Sequence, residues 1–225
     1  MKKIIFAVIL ILISVSCTKR DYKGIYSKGR IEYRITYLNA EDGNFDPALL
    51  PKKMVLSFNE DYCTNTIEGF MGFFKLENLT YFGKKKSSTY LKVLDKNYIF
   101  NGNKQELMCC FDTFKDMVIV PDTLTKVICG LKSKHAIAKI PRTGDSFEIY
   151  YTYDITLEHP NVTNPYIDID GVLTDFILFM GPYKMRFQAQ KFDPSKGPAN
   201  QMKVPKDAIE VTRNEMVYAL ERLMN

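Results

Sequence analysis

Apolar and polar residues alternate with a period of two over much of this 225-residue chain. In residues 30–37 the alternation sets Ile31, Tyr33, Ile35 and Tyr37 on one side and Arg30, Glu32, Arg34 and Thr36 on the other, as in a strand with one buried face. Residues 54–58, 88–94, 117–120, 135–140 and 147–153 form similar short runs, rich in β-branched and aromatic side chains and separated by Gly, Pro, Asn or Asp. Strands this short and closely spaced predict a mainly β, antiparallel meander that curls into a barrel or half-barrel. Near the C-terminus the spacing changes to three and four. Thr212-Arg213-Asn214-Glu215 is a capping box, and Met216, Leu220, Leu223 and Met224 fall on one face behind it. A helix over residues 212–224 is therefore expected to lay its apolar stripe on the sheet.

One apolar stretch follows neither period. Met1-Lys2-Lys3 precedes an unbroken apolar run at residues 4–13, and Ser14-Val15-Ser16-Cys17 follows it. A basic start, a short apolar core and small residues before a cleavage point read as a secretory signal. A membrane-spanning helix needs about 20 apolar residues, and Ser14, Ser16 and then Thr18-Lys19-Arg20-Asp21 end this run too soon. The segment resembles a bacterial lipobox, with Ser14 where a leucine-like residue is usual. Residues 1–16 are then a lipoprotein signal peptide, and Cys17 carries a diacylglycerol thioether and an amide-linked acyl chain such as palmitate. Simple secretion after Ser14-Val15-Ser16 is the other reading. Residues 17–28 are expected to form a lipidated polar tether, and residues 29–225 one domain undivided by a Ser/Gly/Pro linker. Thr18-Lys19-Arg20-Asp21 lacks the acidic run that resembles a surface-export signal, so the expected location is the outer membrane, facing the periplasm, with the cell surface as the other reading.

Charge and reactive residues narrow the classes further. Of 31 basic and 26 acidic residues, Lys2 and Lys3 leave with the signal, so the mature chain has 29 against 26, a mild +3. Lys84-Lys85-Lys86 beside Ser87-Ser88 reads as a solvated hairpin tip, and no nucleic-acid partner is expected. His135 and His159 are too few and too far apart for a recognisable zinc set or triad. There is no C-x-x-C motif and no Gly-rich phosphate loop, so no cofactor or metal is expected. After Cys17, the cysteines are Cys63, Cys109, Cys110 and Cys129. Cys109 and Cys110 point to opposite faces if they lie in a strand, which leaves Cys129 with one of them as the preferred pairing and free buried thiols as the alternative.

Several of these segments resemble Bacteroidetes envelope lipoproteins with a LolA-like fold, relatives of the GLPGLI group. A G-x-I-x-Y-x-I-x-Y strand occupies residues 29–37 and is followed by Leu50-Pro51-Lys52-Lys53-Met54. Residues 125–136 resemble the family's T-K-x-I-x-G-x-K-x-K-x-A strand, turn and strand; residues 147–152, Gly171-Val172-Leu173 and Tyr183-Lys184-Met185 follow in the family's order. The likeness covers about two-thirds of the mature chain in loose turn-and-strand patterns. Where the family often has a cysteine this chain has Ser133, so a disulfide does not carry over. The resemblance implies a half-barrel closed by helices, whose concave face takes acyl chains. A curved sheet with an aromatic inner face leaves a cavity suited to an apolar ligand. Phe70-Met71-Gly72-Phe73-Phe74, flanked by Leu76 and Leu79, is the densest aromatic stretch. Phe70, Phe73, Phe74, Leu76 and Leu79, with Leu220 of the helix, are the candidate ligand-binding residues. The function expected is non-enzymatic binding of an apolar ligand or lipidated client; a protein-interaction module with a filled core is the alternative.

One motif points to a different class. Residues 166–175 resemble the first motif of haloacid dehalogenase-type phosphatases, with Asp168 as nucleophile and Asp170 as general acid beside magnesium. That chemistry needs the aspartates at the end of a parallel strand in an α/β domain, followed by a Ser/Thr, a Lys and a second acidic pair. The chain upstream reads as β, and fewer than sixty residues follow Asp170, so the alternative is a turn with solvated carboxylates entering a strand at residues 172–179.

Overall fold

The computed structural model describes residues 24–39, 48–82, 86–102, 111–198 and 202–224. Twelve strands among them form one sheet: β1 (Gly29–Tyr37), β2 (Lys53–Phe58), β3 (Tyr62–Gly69), β4 (Phe74–Tyr81), β5 (Lys86–Val93), β6 (Lys96–Gly102), β7 (Val118–Ile128), β8 (Leu131–Ile140), β9 (Asp145–Thr152), β10 (Val172–Met180), β11 (Tyr183–Asp193) and β12 (Ile209–Glu210). The order is β12-β6-β5-β4-β3-β2-β1-β11-β10-β9-β8-β7. Neighbouring strands are antiparallel except β12, which runs parallel to β6. The two edges do not meet, so the sheet is curved but unclosed, the half-barrel of the two forms that the strand pattern allows. One helix, α1 (Arg213–Met224), follows β12.

Alternation places the core. Ile31, Tyr33 and Ile35 of β1 are buried, and β2 sets Leu56 against Ile31 and Met54 against Tyr33. On the other side, β11 aligns Ala189 with Tyr33 and Phe187 with Ile35, while β10 aligns Phe176 with Phe187 and Leu178 with Met185. An apolar stripe therefore crosses four strands on one face, with the Phe176 and Phe187 rings stacked 5.0 Å apart. The β7–β8 turn is two residues, Cys129-Gly130, with φ of 44° and 86°. This is the left-handed geometry that suits a twisted hairpin, and Gly130 takes it without a side-chain penalty.

The pairing of β9 with β10 stops at Asp175, and beyond that point the strands part. Tyr166, from the loop between them, fills the opening. Its hydroxyl donates to the Ile177 carbonyl and accepts from the Ile177 N–H at 3.3 Å, taking the place of a β9 partner. Its ring, fully buried, packs against Phe114 and Phe176. The loop is fixed by Asn161, whose buried amide donates to the carbonyls of Ile169 and Gly171 at 2.7 and 2.8 Å. Near the junction a polar seam joins the strands: Asp175, 3 % exposed, takes a bidentate pair of bonds from Arg186 at 2.8 Å, and Thr174 donates to Ser133 at 2.9 Å.

The capping box forms as expected. The Thr212 N–H donates to Glu215 Oε2 at 2.7 Å, and the Glu215 N–H donates to Thr212 Oγ1 at 3.3 Å. Met216 and Leu220 bury their side chains on Leu76, Leu91 and Phe100, a second apolar cluster over β4, β5 and β6. The side chains of Leu223 and Met224 lie outside the described residues. Residues 17–28 are not a free tether along their whole length: the N–H groups of Ile25 and Tyr26 both donate to the Asp154 carbonyl, because the Tyr26 ring packs edge-on to Phe192 and holds the chain there. Cys17, Lys84, Lys85, Cys109 and Cys110 lie outside the described residues.

Candidate functional site

Between the four-strand stripe and the helix-covered cluster, the apolar face is left unfilled. A cavity of about 360 Å³ opens there, within the roughly 300–1,000 Å³ usual for small-molecule sites. One wall is built by β1, β10 and β11 through Ile35, Tyr37, Met180, Tyr183 and Met185. The facing wall comes from β3, β4 and β5, where register brings Ile67 opposite Leu76 and Phe74 opposite Val93. Leu49, Leu50 and Pro51 line one side, ahead of β2. Among the described residues, the ionisable groups in the lining are Tyr37, Tyr183 and Arg222. Tyr37 donates its hydroxyl to the Pro51 carbonyl at 2.9 Å, and burial, with Tyr183 beside it, raises its pKa.

The lining grades from floor to mouth. Ile35, Leu76, Tyr183 and Met185 are buried, whereas Leu49, Phe73 and Leu94 are 42 %, 47 % and 57 % exposed. Phe73 and Leu94 are held side by side, since the Leu94 N–H donates to the Phe73 carbonyl at 2.7 Å. The turn before β4 is sharp, with Met71 and Gly72 at φ of 53° and 84°, and Lys92 Nζ secures it through the Gly72 carbonyl at 2.9 Å. That geometry turns Met71 outward, almost completely exposed. The mouth is thus an apolar rim on a tightly tied backbone, the kind of surface that soluble chains seldom expose without a partner.

The sequence-chosen residues divide by face. Phe73, Phe74 and Leu76 line the cavity. Phe70 sits in the turn between β3 and β4, and its side chain lies outside the described residues. Leu79 does not line it: strand alternation puts Leu79 on the face of Lys75 and Glu77, opposite Phe74 and Leu76. Leu220 is 1 % exposed in the contact between helix and sheet and bounds the cluster rather than the cavity. The β1 and β11 residues and Arg222 were not among the candidates. Their alternation was readable, but the pairing that turns it toward Phe74 was not.

The other sequence candidates lie elsewhere. Asp168 and Asp170 are on the loop entering β10, an antiparallel strand, so the parallel-strand setting of the phosphatase motif is missing. They line a separate polar cavity with Asp122, Lys134, Tyr151 and Tyr153. Among the described residues no three His, Cys, Asp or Glu groups converge as a metal set. His135 is buried in β8 with Nδ1 2.6 Å from Asp122 Oδ2, while His159 sits 3.9 Å from Asp170. Cys129 is a free thiol, against the preferred disulfide; it lies in the β7–β8 turn, and its burial pushes the pKa up to about 11.

No family model and no curated protein matches this chain. Among solved structures it is similar to one titled "Structure of PNGF-II in C2 space group", at 12 % identity and a TM-score of 0.48, over 85 % of this chain and 32 % of that one. The chain thus spans about a third of that protein's length.

Proposed function

We propose that this protein is a non-enzymatic envelope lipoprotein that holds an apolar ligand, or the acyl part of a lipidated client, in the cavity between β1/β11 and β3–β5. One observation carries the reading: the concave face is left open where Phe73, Phe74, Leu76, Ile35 and Met185 converge, and the open space is lined almost wholly by carbon. An apolar void of this size has no polar groups to hold water, so its natural occupant is a hydrocarbon. The half-barrel with a helix on its open side is the arrangement that a LolA-like carrier would use. Acylated Cys17 would tether it to the outer membrane, on the periplasmic side, where such ligands pass.

Native mass spectrometry with lipid extraction, on full-length protein from its own membranes, tests the cavity. A co-purifying apolar species is expected, and it should be displaced when Phe73 and Phe74 are both replaced by Asp with the β-rich circular dichroism spectrum retained. A ligand-free protein would defeat the reading. The tether is tested separately: Cys17→Ala should move the protein from the membrane to the soluble fraction, and unchanged partitioning would refute it.

A further inference from the structure

We infer that the occupant of this cavity is a single-chain amphiphile with an anionic head, its chain lying against Phe74 and Met185 and its head on Arg222. The inference rests on the cavity reading above and specifies the ligand. Among the described residues of the lining Arg222 is the one that carries a charge; it stands exposed on the last turn of α1. Among the described residues no carboxylate lies within ion-pair distance of its guanidinium. The guanidinium instead lies 5.6 Å from the ring centre of Tyr218, itself 61 % exposed. A fork of donors left open beside an apolar void matches a carboxylate or phosphate, which it can bind with two parallel hydrogen bonds. On the floor the Tyr37 hydroxyl is already committed to Pro51, and a polar head pushed inward would exchange its water for a wall that is mostly carbon. At about 360 Å³ the space is at the small end of ligand sites, which suits one hydrocarbon chain rather than the two or three of a diacyl lipid or triacylated client.

A free fatty acid and a lysophospholipid share this chemistry, and the test separates them. The full-length chain, delipidated and held in dodecyl maltoside, is titrated with oleate, with 1-oleoyl lysophosphatidic acid and with oleyl alcohol, and binding is read by native mass spectrometry. One anion per chain is expected to bind roughly ten-fold more tightly than the alcohol, the size of a charge-assisted pair. Arg222→Gln should bring that anion down to the level of the alcohol and leave the alcohol unchanged, and Arg222→Lys should restore most of the gap. Preference for oleate names a free fatty acid, and preference for the phosphate names a lysophospholipid. Equal binding of anion and alcohol, or an equal loss on Lys196→Gln far from the lining, overturns the role of Arg222 and leaves the cavity reading in place. Binding of none of the three overturns both.

Discussion

The concave face of this sheet has two halves built from similar residues and finished differently. Over β8–β11 the strands part, and the chain returns a loop whose Tyr166 fills the opening and satisfies the bared Ile177 backbone groups. Over β4–β6 the chain sends a helix whose Met216 and Leu220 pack with Leu76, Leu91 and Phe100. The strip between that helix and β1 and β11 is left open and apolar. Filling gives stability, since interiors gain most from dense contact; leaving a lined void forgoes part of that gain and keeps room for a guest. The same alternation therefore serves packing at one end and capacity at the other.

The filled half should be the more sensitive to truncation. Tyr166→Ala is expected to lower unfolding free energy by about 3–5 kcal/mol, the range for a fully buried aromatic. Tyr166→Phe should cost about 1–3 kcal/mol by stranding the Ile177 carbonyl. Urea denaturation measures both, and a Tyr166→Ala cost no larger than that of Val93→Ala at the cavity wall would erase the distinction. Leu220→Ala should cost roughly 2–4 kcal/mol. Its local signature is faster amide exchange in α1 with β8–β10 still protected; uniform acceleration would mean that helix and filled half open as one unit.

Much of this division could be read from the sequence, and the rest turns on pairing. The strands around Ile31, Ile137 and Ile149, the capping box and the antiparallel class follow from period and turn chemistry. Five strands, β3, β4, β6, β11 and β12, have no counterpart among the runs that the period picks out. Of these, β11 alternates Tyr183, Met185, Phe187 and Ala189 with Lys184, Arg186, Gln188 and Gln190, so its strand signal is present in the sequence. In β4 the alternation separates Phe74 and Leu76 from Leu79, which nearness in sequence to the aromatic stretch alone makes a candidate. No local signal marks Tyr166 as a wedge, because the gap it fills arises where β9 and β10 separate. Arg222 reads in sequence as an ordinary surface charge; only the placement of α1 beside the cavity gives it a role.

Two smaller effects sharpen the contrast. In the filled half, Lys184 lies over the Phe147 and Phe179 rings and donates to Asp145 at 2.9 Å. The hydrogen bond from Lys184, then that from Thr143, holds the Asp145 carboxyl below its ordinary 3.8. A depressed carboxyl stabilises the fold above its ordinary pKa and loses that contribution as pH falls through the folded value. Asp145→Asn should therefore flatten the loss of stability below about pH 4 by up to about 1 kcal/mol, the pair being partly exposed. An unchanged acid limb would show that Lys184 does not stabilise the opening through charge. At the helix end, Thr212→Ala should cost about 1 kcal/mol, visible as fraying of the first turn of α1 by amide exchange with no change over β8–β10.

The central claim, that the strip between α1 and the β1/β11 wall is a binding space, is tested most directly by titrating the protein with the neutral apolar fluorophore N-phenyl-1-naphthylamine. Wild type should bind it saturably at one site per chain, and Tyr166→Phe should bind it as well as wild type. Val93→Trp, which places an indole into the void from the β5 wall, should abolish binding while keeping the fold. Undiminished binding in Val93→Trp would contradict the account.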